Sequence, residues 1–158
     1  MADDRLGVCL NLKRNAISQY ANYDFNSFCI FNGMPLAASE DGIFELDSAQ
    51  KDNTALIDAF VELVSTDFGR TNPKRIRSAH IGYETSGYLI FKVKTDDNNE
   101  VQYEMQPDKT AQKQYGEKLF ISRQQRGITW MFRIENRDGC DFSIDAMDLV
   151  LIPLHSGR

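Results

Sequence analysis

Tyr88-Leu-Ile-Phe-Lys-Val-Lys94, then Thr95-Asp-Asp-Asn-Asn99, then Glu100-Val-Gln-Tyr-Glu-Met105 is the stretch that decides the fold. Two runs that alternate apolar with polar residues flank a turn made of Asp and Asn, which is the pattern of an antiparallel hairpin. Successive side chains of a strand point to opposite faces. Leu89, Phe91 and Val93 therefore share the inner face with Val101, Tyr103 and Met105, while Lys92, Lys94, Glu100, Gln102 and Glu104 face water. Outward charges of opposite sign across such a pair add tenths of a kcal/mol.

The chain on the C-terminal side continues in the same style. Ile128, Trp130, Phe132 and Ile134 alternate with Thr129, Met131, Arg133 and Glu135, and Asn136-Arg137-Asp138-Gly139 follows. Asp-Gly tolerates the positive φ of a tight connection, so a second hairpin is expected here. Its returning strand starts on one parity with Phe142, Ile144 and Ala146 and continues on the other with Met147, Leu149 and Leu151. Such a switch predicts a bulge or bend near Ala146. Pro153 removes a ladder donor and suits a strand end or an edge.

On the N-terminal side, Lys74 to Tyr83 reads as extended, and Asp67-Phe68-Gly69-Arg70-Thr71-Asn72-Pro73 breaks the chain before it. Ala55 to Phe68 fits two templates: Leu56, Phe60, Leu63 and Val64 match a helix, whereas Ile57, Ala59, Val61 and Leu63 match a strand. Periodicity alone leaves both open. Earlier still, short apolar pieces at 26–32, 34–38 and 43–46 are separated by Asn32-Gly33 and Asp41-Gly42, as tight antiparallel turns would have it. The expectation is an all-β chain: an antiparallel β-sandwich, or barrel-like closure, over 54–158, preceded by a less regular arm or small sheet over 1–53.

Composition narrows the function classes. A chain of 158 residues is one domain or one domain with an extension, and 42% hydrophobic residues suffice for a buried core. The formal net charge of −5 argues against general affinity for nucleic-acid phosphates. No apolar run approaches the ~20 residues that span a bilayer, the longest being of the kind Leu149 to Leu154, so no membrane partner is expected. Met1-Ala2-Asp3-Asp4-Arg5 lacks the basic and apolar regions of a secretory signal, which makes synthesis without export the expectation. Cys9, Cys29 and Cys140 are odd in number and far apart; reduced, mostly buried thiols are expected rather than a disulfide framework.

Catalytic chemistry finds little footing. His80 and His155 are the two histidines, His155 lies in the terminal tail, and His80 reads as a strand residue without a partner motif. There is no nucleophile elbow, metal-ligand spacing or phosphate cradle. Asp96-Asp97-Asn98-Asn99-Glu100 offers oxygen ligands for a cation but reads better as a solvated turn. Asp141 and Asp145 fall on one strand face at ~13 Å, too far for a hydrolytic carboxylate pair, and Asp148 extends the same acidic stretch. No catalytic, cofactor-binding or metal residue is therefore assigned, and no enzyme or cofactor is expected. The most basic stretch is Arg70, Lys74, Arg75 and Arg77, with Arg123 and Arg126 as a second cluster. Contact with DNA or an acidic surface is one reading, and basic residues balancing acids on a sheet edge is the simpler one. Tyr83, Tyr88 and Tyr103 would stack on a sugar if they pointed outward, whereas the alternation around Trp130 assigns that ring to the core.

One resemblance joins these pieces. Thr129-Trp-Met-Phe-Arg-Ile-Glu-Asn-Arg-Asp-Gly-Cys-Asp-Phe-Ser-Ile-Asp145 resembles the closing region of tail-associated structural proteins of tailed bacteriophages, where an aromatic strand leads to Asn-x-x-Gly, then Asp-Phe-x-Ile/Leu-Asp and a strand with a Pro. Thr66-Asp67-Phe68-Gly69 with Lys74-Arg75-Ile76-Arg77, Tyr23-Asp24-Phe25-Asn26-Ser27-Phe28, and Asp41-Gly42-Ile43-Phe44-Glu45-Leu46 are similar to further pieces of that group, in order along most of the chain. The chain departs from the pattern at Gly127-Ile128, where a more basic approach to the Trp is usual, and at its end, Leu154-His155-Ser156-Gly157-Arg158, where the group has consecutive arginines.

The resemblance implies a strand at Ala55 to Phe68 and a virion protein made in the bacterial host cytoplasm. Its role would be structural: self-assembly into a homo-oligomer and contact with other virion tail proteins, with Arg70, Lys74, Arg75 and Arg77 as candidates for touching DNA in a lumen. The competing class is a ligand- or carbohydrate-binding β-sandwich module.

Overall fold

The computed structural model describes residues 6–21, 23–46, 51–52, 55–106 and 115–154, and every helix or strand among them is a strand. The chain divides into two units, Met1–Ala49 and Gln50–Arg158. In the first, β1 (Gly7–Asn11) pairs with β2 (Ala16–Tyr20), and β3 (Ser27–Phe31), β4 (Met34–Ser39) and β5 (Gly42–Glu45) form a meander. The turns that join them use left-handed residues where the sequence offers them, Asn32 at φ 50° with Gly33 at 83°, and Asn15 at 50° between β1 and β2.

The second unit begins with a two-residue pair, β6 (Lys51–Asp52) and β7 (Ala55–Leu56). It continues with β8 (Phe60–Thr66), β9 (Lys74–Thr85), β10 (Leu89–Thr95), β11 (Glu100–Met105), β12 (Tyr115–Phe120), β13 (Trp130–Asn136) and β14 (Phe142–Pro153). These build a four-stranded sheet in the order β11-β10-β13-β8 and a three-stranded sheet in the order β12-β9-β14. All pairings are antiparallel, and the inner faces of the two sheets share one apolar core, the layout of a β-sandwich.

The deciding hairpin forms in the expected register, with Leu89 opposite Met105 and Lys94 opposite Glu100. Leu89, Phe91, Val93 and Met105 have no exposed surface, and each such burial is worth ~1.5–3 kcal/mol. Phe132 of β13 stacks on Phe91, with ring centroids 6.0 Å apart and planes within 4°, and on its other side stacks with Trp130 at 6.5 Å and 10°. The Trp130 indole is fully buried, and its Nε1 donates to Gly127 O at 3.2 Å. Gly127 has to be glycine: a Cβ there would collide with Asp96 Oδ1 and sit 3.0 Å from Thr95 Cβ. Gln125, also buried, donates from Nε2 to Val93 O at 3.0 Å and so ties the segment before β13 to β10.

The ambiguous segment is extended: β8 pairs with β13, with Leu63 opposite Phe132 and Val61 opposite Ile134. The expected second hairpin does not form. Asp138 at φ 56° and Gly139 at 70° do turn the chain, but β13 is already flanked by β10 and β8, so β14 crosses to the other sheet and pairs with β9. Asn136 fastens this corner. Its Nδ2 donates to Ile57 O and Cys140 O, both at 2.9 Å, and its Oδ1 accepts from Ala59 N at 2.8 Å.

The bulge expected near Ala146 is present: Ile144 faces Tyr83 and Ala146 faces Gly82, leaving Asp145 as the extra residue. A second one places Arg77 between Ile76, opposite Leu151, and Ser78, opposite Val150, so the buried set of β9 shifts from Lys74, Ile76 and Ser78 to Ala79, Ile81 and Tyr83. β14 ends at Pro153 on a sheet edge. The thiols differ from expectation: Cys140 is buried, whereas Cys9 and Cys29 are exposed, because both stand on sheets of the first unit that bury little.

Replacing Trp130 by Ala removes the end of the aromatic stack and is expected to lower unfolding free energy by ~3–5 kcal/mol in denaturant titration. An unchanged midpoint would mean that the ring contributes nothing to the core.

Candidate functional site

The residues that the sequence singled out for chemistry do not converge. His80 is exposed on β9, in register with Lys118 of β12 and Asp148 of β14, and among the described residues no hydrogen bond or ion pair joins it to an acid or a thiol. His155 lies outside the described residues. Among the described residues no three His, Cys, Asp or Glu side chains are grouped to hold a metal ion, and no helix is long and apolar enough to cross a membrane.

The basic stretch is split by its own strand. Lys74 is 2% exposed and spends its ammonium on two backbone carbonyls, with Nζ donating to Arg70 O at 2.8 Å and Ile128 O at 2.6 Å. It cannot reach a phosphate, because strand alternation turns it inward with Ile76. Arg75 is half-buried and Arg70 and Arg77 are exposed, so three of the four expected contacts stay on the surface. Arg123 and Arg126 are also exposed. The aromatic platform fares similarly. Tyr83 is fully buried with its hydroxyl 2.8 Å from Glu117 Oε2, and the Tyr103 hydroxyl accepts from Ser122 N at 2.8 Å. Of the three tyrosines only Tyr88 is exposed, at 42%.

What the structure does bring together is apolar. β8 and β14 are edge strands of the two sandwich sheets, each paired on one side only. Between them lies an open groove of about 280 Å³ lined by Val61 and Leu63 of β8, Phe132 and Ile134 of β13, and Ile144 and Met147 of β14, with Asp145 at its border. Val61 and Leu63 keep 45% and 43% of their surface exposed. Small-molecule pockets run ~300–1,000 Å³ and enclose most of their ligand. A trough at the lower edge of that range and open to one side encloses little of a ligand and suits protruding side chains of a protein better than a small molecule.

The first unit is the second apolar surface. Its β1–β2 register sets Leu10 opposite Ile17 and Val8 opposite Gln19, which places Val8, Leu10 and Ile17 on one face. They are 63%, 53% and 68% exposed, and Leu12 in the following turn is 80% exposed. The opposite face meets an aromatic cluster. A Cβ on Gly7 would overlap the Tyr23 ring, Tyr20 packs against Tyr23 at 5.7 Å, and Tyr23 stacks on Phe28 at 5.8 Å. Among the described residues of this unit only Ala37 is buried. A two-stranded hairpin is marginal in water without a surface to pack on, so the Val8 face is a site that asks to be covered.

Sequence reasoning passed over this hairpin, although Val8, Leu10 and Leu12 alternate with Cys9 and Asn11 and are followed by Asn15 in the left-handed region, a usable signal. Comparisons with protein families, with curated proteins and with solved structures find no match to the chain.

Lys74→Met is expected to cost ~1–3 kcal/mol in denaturant unfolding, since Arg70 O and Ile128 O lose their donor inside the fold, while Arg77→Ala stays within ~0.5 kcal/mol. Equal effects would show that Lys74 is solvated.

Proposed function

We propose that this protein is a structural component of the tail of a tailed bacteriophage, working in the virion through self-assembly and contacts with neighbouring tail proteins. The observation that carries the assembly role is the Val8, Leu10 and Ile17 face, an apolar surface that nothing within its unit covers. Burial of apolar area is the main driving force for association between proteins. One chain thus joins a sandwich with a packed core to a unit that buries little, the make-up of a body and an interface element. The phage context rests on the ordered resemblance of Thr129 to Asp145 and the three shorter pieces upstream.

In this reading the core residues Trp130, Phe132, Phe142 and Ile144 hold the sandwich, and the first unit serves as the arm or interface sheet. DNA in a lumen would meet Arg70, Arg75 and Arg77 and not Lys74. Such contacts would supply affinity through phosphate charge and carry no sequence preference.

Peptide mass spectrometry of density-purified virus particles from the source is expected to find the chain at a fixed multiple relative to the major capsid protein. Absence from particles, with the chain present in the infected cells, would remove the virion role.

A further inference from the structure

We propose that the groove between β8 and β14 is the seat for the β1–β2 hairpin of a second copy of this chain, laid in by its Val8, Leu10 and Ile17 face. The proposal rests on the assembly role above and names its partner and its contact. Each surface lacks what the other supplies. The groove presents Val61, Leu63, Ile144 and Met147 around an open trough, and the hairpin presents an apolar face two strands wide.

Charge points the same way. From Leu6 to Ala21 the hairpin carries Lys13 and Arg14 and no acid, with both bases in the turn at its tip. β14 carries Asp145 and Asp148 and no base, and Asp145 borders the groove. A basic tip on an apolar face thus meets an apolar trough along an acidic strand. Complementary potentials of this kind set orientation and speed encounter more than they add affinity.

A second copy is the economical partner because every copy carries both surfaces. The two are different patches, so the contact is head-to-tail: each copy gives its hairpin to one neighbour and receives one from another. Such contacts close into a ring where the rotation allows and otherwise extend as a filament. Docking also covers the face of the hairpin that its contact with the Tyr20, Tyr23 and Phe28 rings leaves open.

The full-length chain tests this directly. A ¹⁵N-labelled copy is mixed with an unlabelled Cys29→Ser copy carrying a nitroxide on Cys9, which is exposed and lies on the hairpin face opposite Val8 and Leu10. The expected result is broadening of the Leu63, Ile144 and Met147 amide signals of the labelled copy, growing with concentration. Leu10→Asp with Ile17→Asp in the spin-labelled copy should weaken that association about tenfold or more, with the sandwich spectrum unchanged because both positions are exposed. Unaffected groove signals, or broadening confined to another surface, would overturn the docking. Broadening at the groove only when nitroxide and ¹⁵N share one chain would assign the seat to the chain's own hairpin and overturn the second-copy contact. The two levels separate cleanly. A chain present in particles without groove contact would leave assembly standing and docking wrong, and groove contact in a chain absent from particles would leave self-association standing and the virion role wrong.

Discussion

Phe132 stacks between Phe91 and Trp130 on the inner face of a strand already hydrogen-bonded along both edges, so the chain leaving Asn136 cannot fold back on the strand it came from, and it crosses to the opposite sheet. The sandwich follows from that constraint. β14 pairs its backbone with β9, and in doing so it carries Phe142, Ile144, Met147 and Leu149 over the aromatic row. Asn136 makes the crossing sharp by bonding both the segment that enters β8 and the turn that leaves β13. One amide thus spans two connections that a sheet ladder cannot reach, which is where a buried polar side chain has most to contribute.

The parts of this fold that were legible in the sequence are those where one strand face is buried and the other wet. The hairpin from Leu89 to Met105 reads correctly for that reason, and the parity switch at Ala146 predicts its bulge because a slip by one residue would turn Met147 and Leu149 to solvent. The second hairpin misleads because Asp138 and Gly139 encode only a reversal; which sheet the next strand joins depends on whether β13 has a free edge, a fact held in the distant segments that form β10 and β8. Lys74 misleads in a similar way. Composition marks it as a surface base, and only the strand register shows its stem beside Ile76 and its ammonium on two carbonyls.

The candidate surface was half legible. Val8, Leu10 and Leu12 carry a readable alternation, but a sequence pattern locates an apolar face without saying what lies over it. In the sandwich such faces meet each other and make a core; in the first unit the same pattern leaves its apolar face open, with Ala37 the lone buried residue among those described. Period-two patterning therefore specifies the secondary structure of both units equally well and their fates differently. The groove between β8 and β14 was not legible, because it arises where two sheets end side by side: Pro153 suits an edge for β14, but nothing in β8 marks that strand as last.

The two bulges of the β9–β14 pair have a consequence for colloidal behaviour. A straight β14 would present one free backbone edge along its twelve residues, a template on which unrelated strands add and on which cross-β stacks nucleate. Asp145 interrupts that run near one end and Pro153 closes it at the other, while the offset at Arg77 bends the partner strand beneath it. A copy waiting for its neighbours thus offers side chains to recognise rather than a backbone to copy, which favours a counted assembly over an amorphous precipitate.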